Sequence, residues 1–268
     1  MRKSADINVL RFRVIPVLLI SEDALVKGNR FKQHRYVGDP INAIKIFNEK
    51  GCDELILLDI STRKRGLKPD FEQIRGCVEE AFMPVAYGGG INTLSDIKNI
   101  LALGVEKIIL NTAAYREPSL VSQASNQFGS QSIVVAVDYK QCIFGRKPMV
   151  FVENGRRAAN IDVEEACKRF AALGAGEIIL SSIVREGMGT GYDTQLLKRL
   201  SHHVAIPTVA LNGAGSFSDI IQVAADTDIS GAAAGSLFVF HGPHKAVLIT
   251  YPSEEEISSI RRGSYLND

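Results

Sequence analysis

The sequence predicts an α/β chain folded as a closed (β/α)8 barrel built from two half-barrels. Eight short apolar, β-branched runs alternate with longer amphipathic stretches. The length, 268 residues, suits the ~250 that eight β/α units need. An internal repeat then divides the chain in two. Glu54-Leu-Ile-Leu-Leu recurs as Glu177-Ile-Ile-Leu-Ser, and Pro84 and Asn111-Thr-Ala recur at the same offset as Pro207 and Ala234-Gly-Ser.

The predicted strands are Val14–Leu19, Leu55–Leu58, Val85–Tyr87, Ile108–Leu110, Ile133–Val137, Ile178–Leu180, Thr208–Ala210 and Gly231–Ala234. Near-continuous apolar strands belong to parallel sheets covered by helices. Helical periodicity fills the gaps, as in Asn42–Asn48, Leu94–Leu103 and Val163–Leu173. Eight such units favour closure over an open sheet. After the eighth strand Phe240–Pro252 reads as an extended piece. A helix follows, with Ser253 and Glu256 spaced as a capping box. No composition break interrupts the chain, so residues 1–268 read as one domain with a short N-terminal extension.

Apolar residues make up 46% and charged residues 23% of the chain, with net charge +1. That balance suits a globular protein with a large core and steers it toward neither nucleic acid nor an anionic membrane. No apolar run reaches the ~18 residues of a membrane helix, and the N-terminus lacks the apolar core of a secretion signal. Cys52, Cys77, Cys142 and Cys167 lie far apart and read as reduced cytosolic thiols, neither a disulfide framework nor a zinc site. His202 and His203 are adjacent and read as surface residues. Neither metal nor cofactor is implied.

Ligands of such barrels bind at the C-terminal ends of the strands. Small residues gather there: Gly88-Gly89-Gly90 after strand three, Asn111-Thr112 after four, Gly187 after six, Asn212-Gly213 after seven, Gly235-Ser236 after eight. Singly these make tight turns. As two loops in each half at matching positions, they read as a pair of phosphate sites whose backbone N–H groups face an anion. Acid/base candidates are Asp138, which ends strand five, and Asp59, which ends strand two. Half-barrel symmetry places Leu19 opposite Asp138, and leucine can neither give nor take a proton. At the opposite ends of the strands stand Arg13, Glu54, Lys107 and Glu177, which suit a self-neutralising ring across the barrel's bottom. By itself such a ring reads as a stabilising plug.

From about Arg13 to Phe240 the chain resembles the cyclase subunit of imidazole glycerol phosphate synthase. The matching stretches include Val26-Lys27-Gly28, Gly38-Asp39-Pro40, Asp53–Ile60, Gly88–Ile91, Leu110–Ala114, Phe128–Gln131, Gly174–Glu177 and Gly191–Asp193. The resemblance implies a partner glutaminase on the bottom face. It also implies ammonia passing through the barrel to a phosphate-binding mouth. Arg13, Lys107, Glu54 and Glu177 match the family's ammonia gate. Gly89, Gly90, Asn111 and Thr112 match one phosphate site. Gly187, Gly213, Gly235 and Ser236 match the other, where Glu186 and Met188 replace the usual aspartate and threonine. Asp138 and Lys27 match catalytic positions, but Leu19 replaces the first of the two cyclising aspartates.

The C-terminal tail resembles a sister group, the acetamidino-modification proteins encoded with surface-polysaccharide genes. That resemblance implies an ammonia-conducting subunit serving a separate amidotransferase that acts on a nucleotide-linked sugar. Two alternatives stay open. One is a histidine-pathway cyclase in which Asp59 or Glu22 covers for Leu19. The other is a non-catalytic activator of the glutaminase.

Overall fold

The computed structural model describes residues 11–62, 66, 68–141 and 147–265. Cys142 and residues 1–10 of the N-terminal stretch lie outside the described residues. In chain order the strands are β1 (Arg13–Ser21), β2 (Ala24–Asn29), β3 (Lys32–Gly38), β4 (Leu55–Asp59), β5 (Val85–Gly88), β6 (Lys107–Leu110) and β7 (Ile133–Lys140). They continue with β8 (Met149–Val152), β9 (Arg157–Asp162), β10 (Glu177–Ser182), β11 (Thr208–Leu211), β12 (Gly231–Ala234), β13 (Phe240–His241) and β14 (Ala246–Val247).

Eight parallel strands close in the order β1-β4-β5-β6-β7-β10-β11-β12, and Arg13 opposite Gly231 pairs β1 back onto β12. This is the predicted TIM-type (β/α)8 barrel. Each half opens with a strand that continues into an antiparallel hairpin, β2–β3 after β1 and β8–β9 after β7. Register makes the two-fold relation concrete. Leu19 pairs with Leu58 of β4 and Val26 of β2, while Asp138 pairs with Ser181 of β10 and Phe151 of β8.

Alternation along the strands builds two apolar layers. Inward residues such as Ile15, Ile56, Ile109, Val134, Ile179 and Val209 fill the barrel, with Leu19 and Leu58 packed above them. Their neighbours, including Val14, Leu18, Leu55 and Leu57, point outward against the helices. The helix Pro40–Glu49 starts where the Asp39 side chain accepts from the Asn42 N–H and Pro40 occupies the first turn. It buries Ala43, Ile44 and Phe47. Burying Phe47 contributes about 2–3 kcal/mol, and truncation to alanine costs roughly 3–5 kcal/mol once the cavity is counted. The helices Leu94–Ala102 and Phe217–Asp226 begin with reciprocal Thr93–Asp96 and Ser216–Asp219 capping boxes.

The C-terminal segment forms the short β13–β14 pair and then the helix Glu254–Tyr265. Ser253 and Glu256 cap one another, as the sequence predicts. Ile257 and Ile260 are buried. Ahead of that helix, the Tyr251 hydroxyl donates to the Val14 carbonyl at 2.8 Å and accepts from the Asp53 N–H at 3.2 Å. The tail is thereby tied to the start of β1 and to the segment that leads into β4.

Candidate functional site at the mouth of the barrel

A cavity of about 700 Å³ opens at the C-terminal ends of the strands. Lys27, Gly89, Gly90, Asn111, Thr112, Asp138, Gly187, Gly213, Gly235 and Ser236 all line it, and so do Leu19 and Glu186. The structure therefore gathers the predicted phosphate-site and acid/base residues into one chamber, whereas Met188 is exposed and does not line it. Two of the glycines show why their loops have this composition. Gly90 and Gly213 occupy equivalent loops and carry φ of +68° and +124°, where a side chain is strained. A Cβ on Gly90 would also stand 2.9 Å from that of Thr62.

Asp138 stands half-buried on the wall of the chamber, where Asn111 Nδ2 donates to its carboxylate at 3.1 Å. Burial pushes its carboxyl up to about 7, against the lowering effect of hydrogen bonds from Ser181 and Asn111. It can hold or release a proton near neutrality. Lys27 is buried, and its ammonium donates to the Val17 carbonyl. Burial lowers it to about 7, with Glu186 pulling the other way. Leu19 faces the chamber beside Leu58, so an apolar pair stands where Asp138 and Ser181 stand in the other half.

Asp59, the other strand-end carboxylate, is already engaged. Its Oδ1 accepts from the Ser61 N–H at 2.9 Å, the Ser61 hydroxyl at 2.8 Å and the Thr62 N–H at 3.3 Å. It shapes the turn after β4. Among the described residues no cluster of three or more His, Cys, Asp or Glu side chains is placed to hold a metal.

Each hairpin leans over the loops of the other half. The turn of β8–β9 reaches the first half, where Asn154 Nδ2 donates to the Ile60 carbonyl at 3.0 Å and the Glu153 N–H donates to the Thr112 hydroxyl at 3.1 Å. The tip of β2–β3 reaches the second. There the Arg30 N–H donates to the Glu186 carbonyl and the Phe31 N–H to the Glu186 carboxylate, each at 3.0 Å. Arg116 and Arg156 also line the chamber, and the sequence pattern alone did not single them out.

At the opposite end, Arg13 and Lys107 each bridge Glu54 and Glu177. Arg13 lies 2.6 Å from Glu54 and pairs with Glu177, and Lys107 lies 2.9 Å from Glu54 and 2.8 Å from Glu177. Both carboxylates are nearly buried, while the cations stay about one-fifth exposed. Burial opposes the charge on Glu177, but Arg13 and Lys107 outweigh it and hold the carboxyl below its ordinary range. Burial likewise opposes the Arg13 charge, and Glu177 and Glu54 together raise it. His202 and His203, in contrast, are exposed, and His202 only approaches Asp228 at 3.3 Å. Among the described residues no helix is long and apolar enough to cross a membrane.

The family model described as "Histidine biosynthesis protein" matches residues 13–244. A relative in Pseudomonas aeruginosa, named as a candidate imidazole glycerol phosphate synthase subunit hisF2, is 46% identical over 93% of this chain and 99% of its own. A Leptospira borgpetersenii relative, named as a candidate HisF subunit of the same synthase, is 46% identical over 91% of this chain and 96% of its own. The Endomicrobium trichonymphae protein named imidazole glycerol phosphate synthase subunit HisF is 40% identical over 86% of this chain and 88% of its own. The chain belongs to the histidine biosynthesis protein family, as a HisF-like barrel.

Proposed function

We propose that this barrel pairs with a glutaminase at its bottom face and conducts ammonia to its mouth for acetamidino-sugar formation in surface-polysaccharide synthesis. The observation that carries the reading is a contrast between the two ends. The four charges at the bottom are all present and mutually paired, whereas the mouth keeps Asp138 and has Leu19 in the matching place.

Ammonia is small and neutral. The barrel interior between the ends is apolar, with alanine at the inward positions 86, 136 and 233. Such a lining offers no hydrogen bond to hold ammonia. It excludes ammonium, whose charge is costly to strip of water. The bottom cluster has no net charge when all four groups are ionised, so only its ion pairs need part to admit a neutral molecule. At the mouth Asp138 can exchange one proton, but closing an imidazole ring needs a paired acid and base. Conduction to a separate amidotransferase acting on a nucleotide-linked sugar asks less of the chamber.

Identity is 46% to the relatives named hisF2 and hisF3 and equally 46% to a Leptospira borgpetersenii relative named as a candidate HisF without a number, so the names favour neither reading. The histidine-pathway reading keeps support from the relatives' names, and one assay separates the two. The purified chain is given the phosphoribosyl substrate with ammonium salt at alkaline pH, bypassing any glutaminase. We expect imidazole product at least a hundredfold below a HisF cyclase, since losing one member of an acid/base pair costs about 10²–10⁴-fold. Turnover within tenfold of that cyclase establishes the histidine-pathway reading instead.

A further inference from the structure

The two hairpins and the loop after β10 meet at one junction on the rim of the mouth, around Gly155. Gly155 lies in the turn of β8–β9 with φ of +73°, and its carbonyl accepts from the Lys140 ammonium at 2.8 Å. A Cβ added to it would stand 3.1 Å from Ile183 Cδ1 and 3.3 Å from Phe31 Cδ2, so both side chains lie against this glycine. Ile183 opens the turn Ile183–Arg185, and Phe31 is at the tip of β2–β3 that bonds to Glu186. Gly187, next along, packs against Gly28 and Asn29 of the same hairpin.

This arrangement turns two apolar side chains outward. Val184 is 36% exposed and Met188 39%. Their loop is held in place. The Met188 N–H donates to the Arg185 carbonyl at 3.1 Å, and the Arg185 guanidinium donates to the Thr190 and Gly191 carbonyls at 3.1 and 3.0 Å. A single exposed apolar side chain is ordinary. Here Val184, Met188 and half-buried Phe31 share one junction, edged by exposed Arg30 and Lys32, and apolar surface rimmed in this way marks an interaction site. Among the described residues neither cation has a carboxylate partner. Lys140, lowered first by burial, is lowered further by Lys32. The carboxylates at hand are engaged: Glu153 pairs with Arg157 at 2.9 Å, and Glu186 is buried and bonded to the hairpin tip.

Ammonia that escapes the chamber into water near neutral pH becomes ammonium, which has no lone pair to attack with. A separate acceptor enzyme therefore has to cover the mouth. We infer that the amidotransferase seats on this junction, with an apolar contact on Phe31, Val184 and Met188 and acidic side chains against Arg30 and Lys32. An acidic face relieves the uncompensated positive charge, and aromatic, methionine and arginine side chains are the types enriched at protein interfaces. A second copy of this chain would bring the same cations and be repelled. The inference rests on the ammonia reading, and its test tells the two apart.

The full-length chain is first bound to its cognate glutaminase, and the purified amidotransferase is then titrated onto that complex by biolayer interferometry at low and high salt. Binding at micromolar concentrations or below, weakening as salt rises, is the expected result. Lys32→Glu and Val184→Asp should each weaken it tenfold or more, while Lys32→Arg retains it. Both positions are exposed, so the variants fold, and both lie at the opposite end from Arg13 and Lys107, so affinity for the glutaminase should not change. A glutaminase complex that does not bind the amidotransferase, or binds it regardless of both substitutions, overturns this inference and leaves the ammonia reading standing. Failure to bind the glutaminase overturns both. A dimer of the barrel alone that Val184→Asp dissolves also overturns it, because a second copy then covers the junction.

Discussion

Replacing Lys107 by methionine keeps the length of the side chain and removes one of two cations from the bottom cluster. Lys107 donates to both oxygens of Glu54 at 2.9 and 3.0 Å and to Glu177 at 2.8 Å. Breaking a fully buried ion pair costs roughly 3–5 kcal/mol. Here the ammonium is about one-fifth exposed, and Arg13 stays paired with both carboxylates. We therefore expect a loss of about 1–3 kcal/mol at pH 7, or a fall in Tm of roughly 2–5 °C for a chain of this size.

The pH dependence identifies the cause. Glu177 titrates below its ordinary value, so its contribution is present above the unfolded carboxyl pKa of about 4.3 and is lost as pH falls through the folded value. Lys107 supplies part of that depression, and the gap between wild type and variant should narrow as pH drops below about 4.3. Urea denaturation across that range, at constant m-value, measures it. A variant as stable as wild type at pH 7, or a gap that does not change with pH, would refute the reasoning.

Other outcomes follow from the same geometry. Asp138 is raised to about 7, so the folded state binds more protons than the unfolded state between about pH 4 and 7, and stability falls as pH rises through that window. Asp138→Asn should therefore stabilise by about 1–3 kcal/mol at pH 8 and have little effect near pH 4, read from denaturation midpoints. Tyr251→Phe strands the buried Val14 carbonyl and Asp53 N–H and should cost about 1–3 kcal/mol, seen in thermal melts. Leu19→Asp puts a carboxylate beside Leu58 and should destabilise by about 1–3 kcal/mol. In the cyclisation assay it should recover only a fraction of the rate, because Glu186 remains.

The barrel was legible because its signal is redundant. Eight apolar runs and the recurrence of Glu54-Leu-Ile-Leu-Leu each imply the same closure, and every predicted strand lies within an observed one. Five of the seven residues of β3 are exposed, so β2–β3 shows little apolar alternation. Its turn runs through Arg30 and Phe31 at φ of +53° and +61°, where glycine would have signalled a turn. That hairpin stayed invisible for those reasons, whereas β8–β9 carries an alternating strand and an Asn154-Gly155 turn, a local signal that the sequence reading passed over. Asp138 and the glycines could be read locally, since a strand end fixes where a side chain points. Lys27 could be singled out only through family resemblance, because nothing in its neighbours announces a buried lysine. Arg116 and Arg156 look like ordinary surface cations until the fold brings them to one rim.

The central claim is that the barrel works with a glutaminase, and reconstitution tests it most directly. The full-length chain and its cognate glutaminase are co-purified, and glutamate release from glutamine is compared with that of the glutaminase alone. We predict a one-to-one complex whose glutamine hydrolysis exceeds that of the free glutaminase, with Lys107→Met altering the rate. No complex at micromolar concentrations of both proteins, or a complex that leaves glutamine hydrolysis unchanged, would contradict the account.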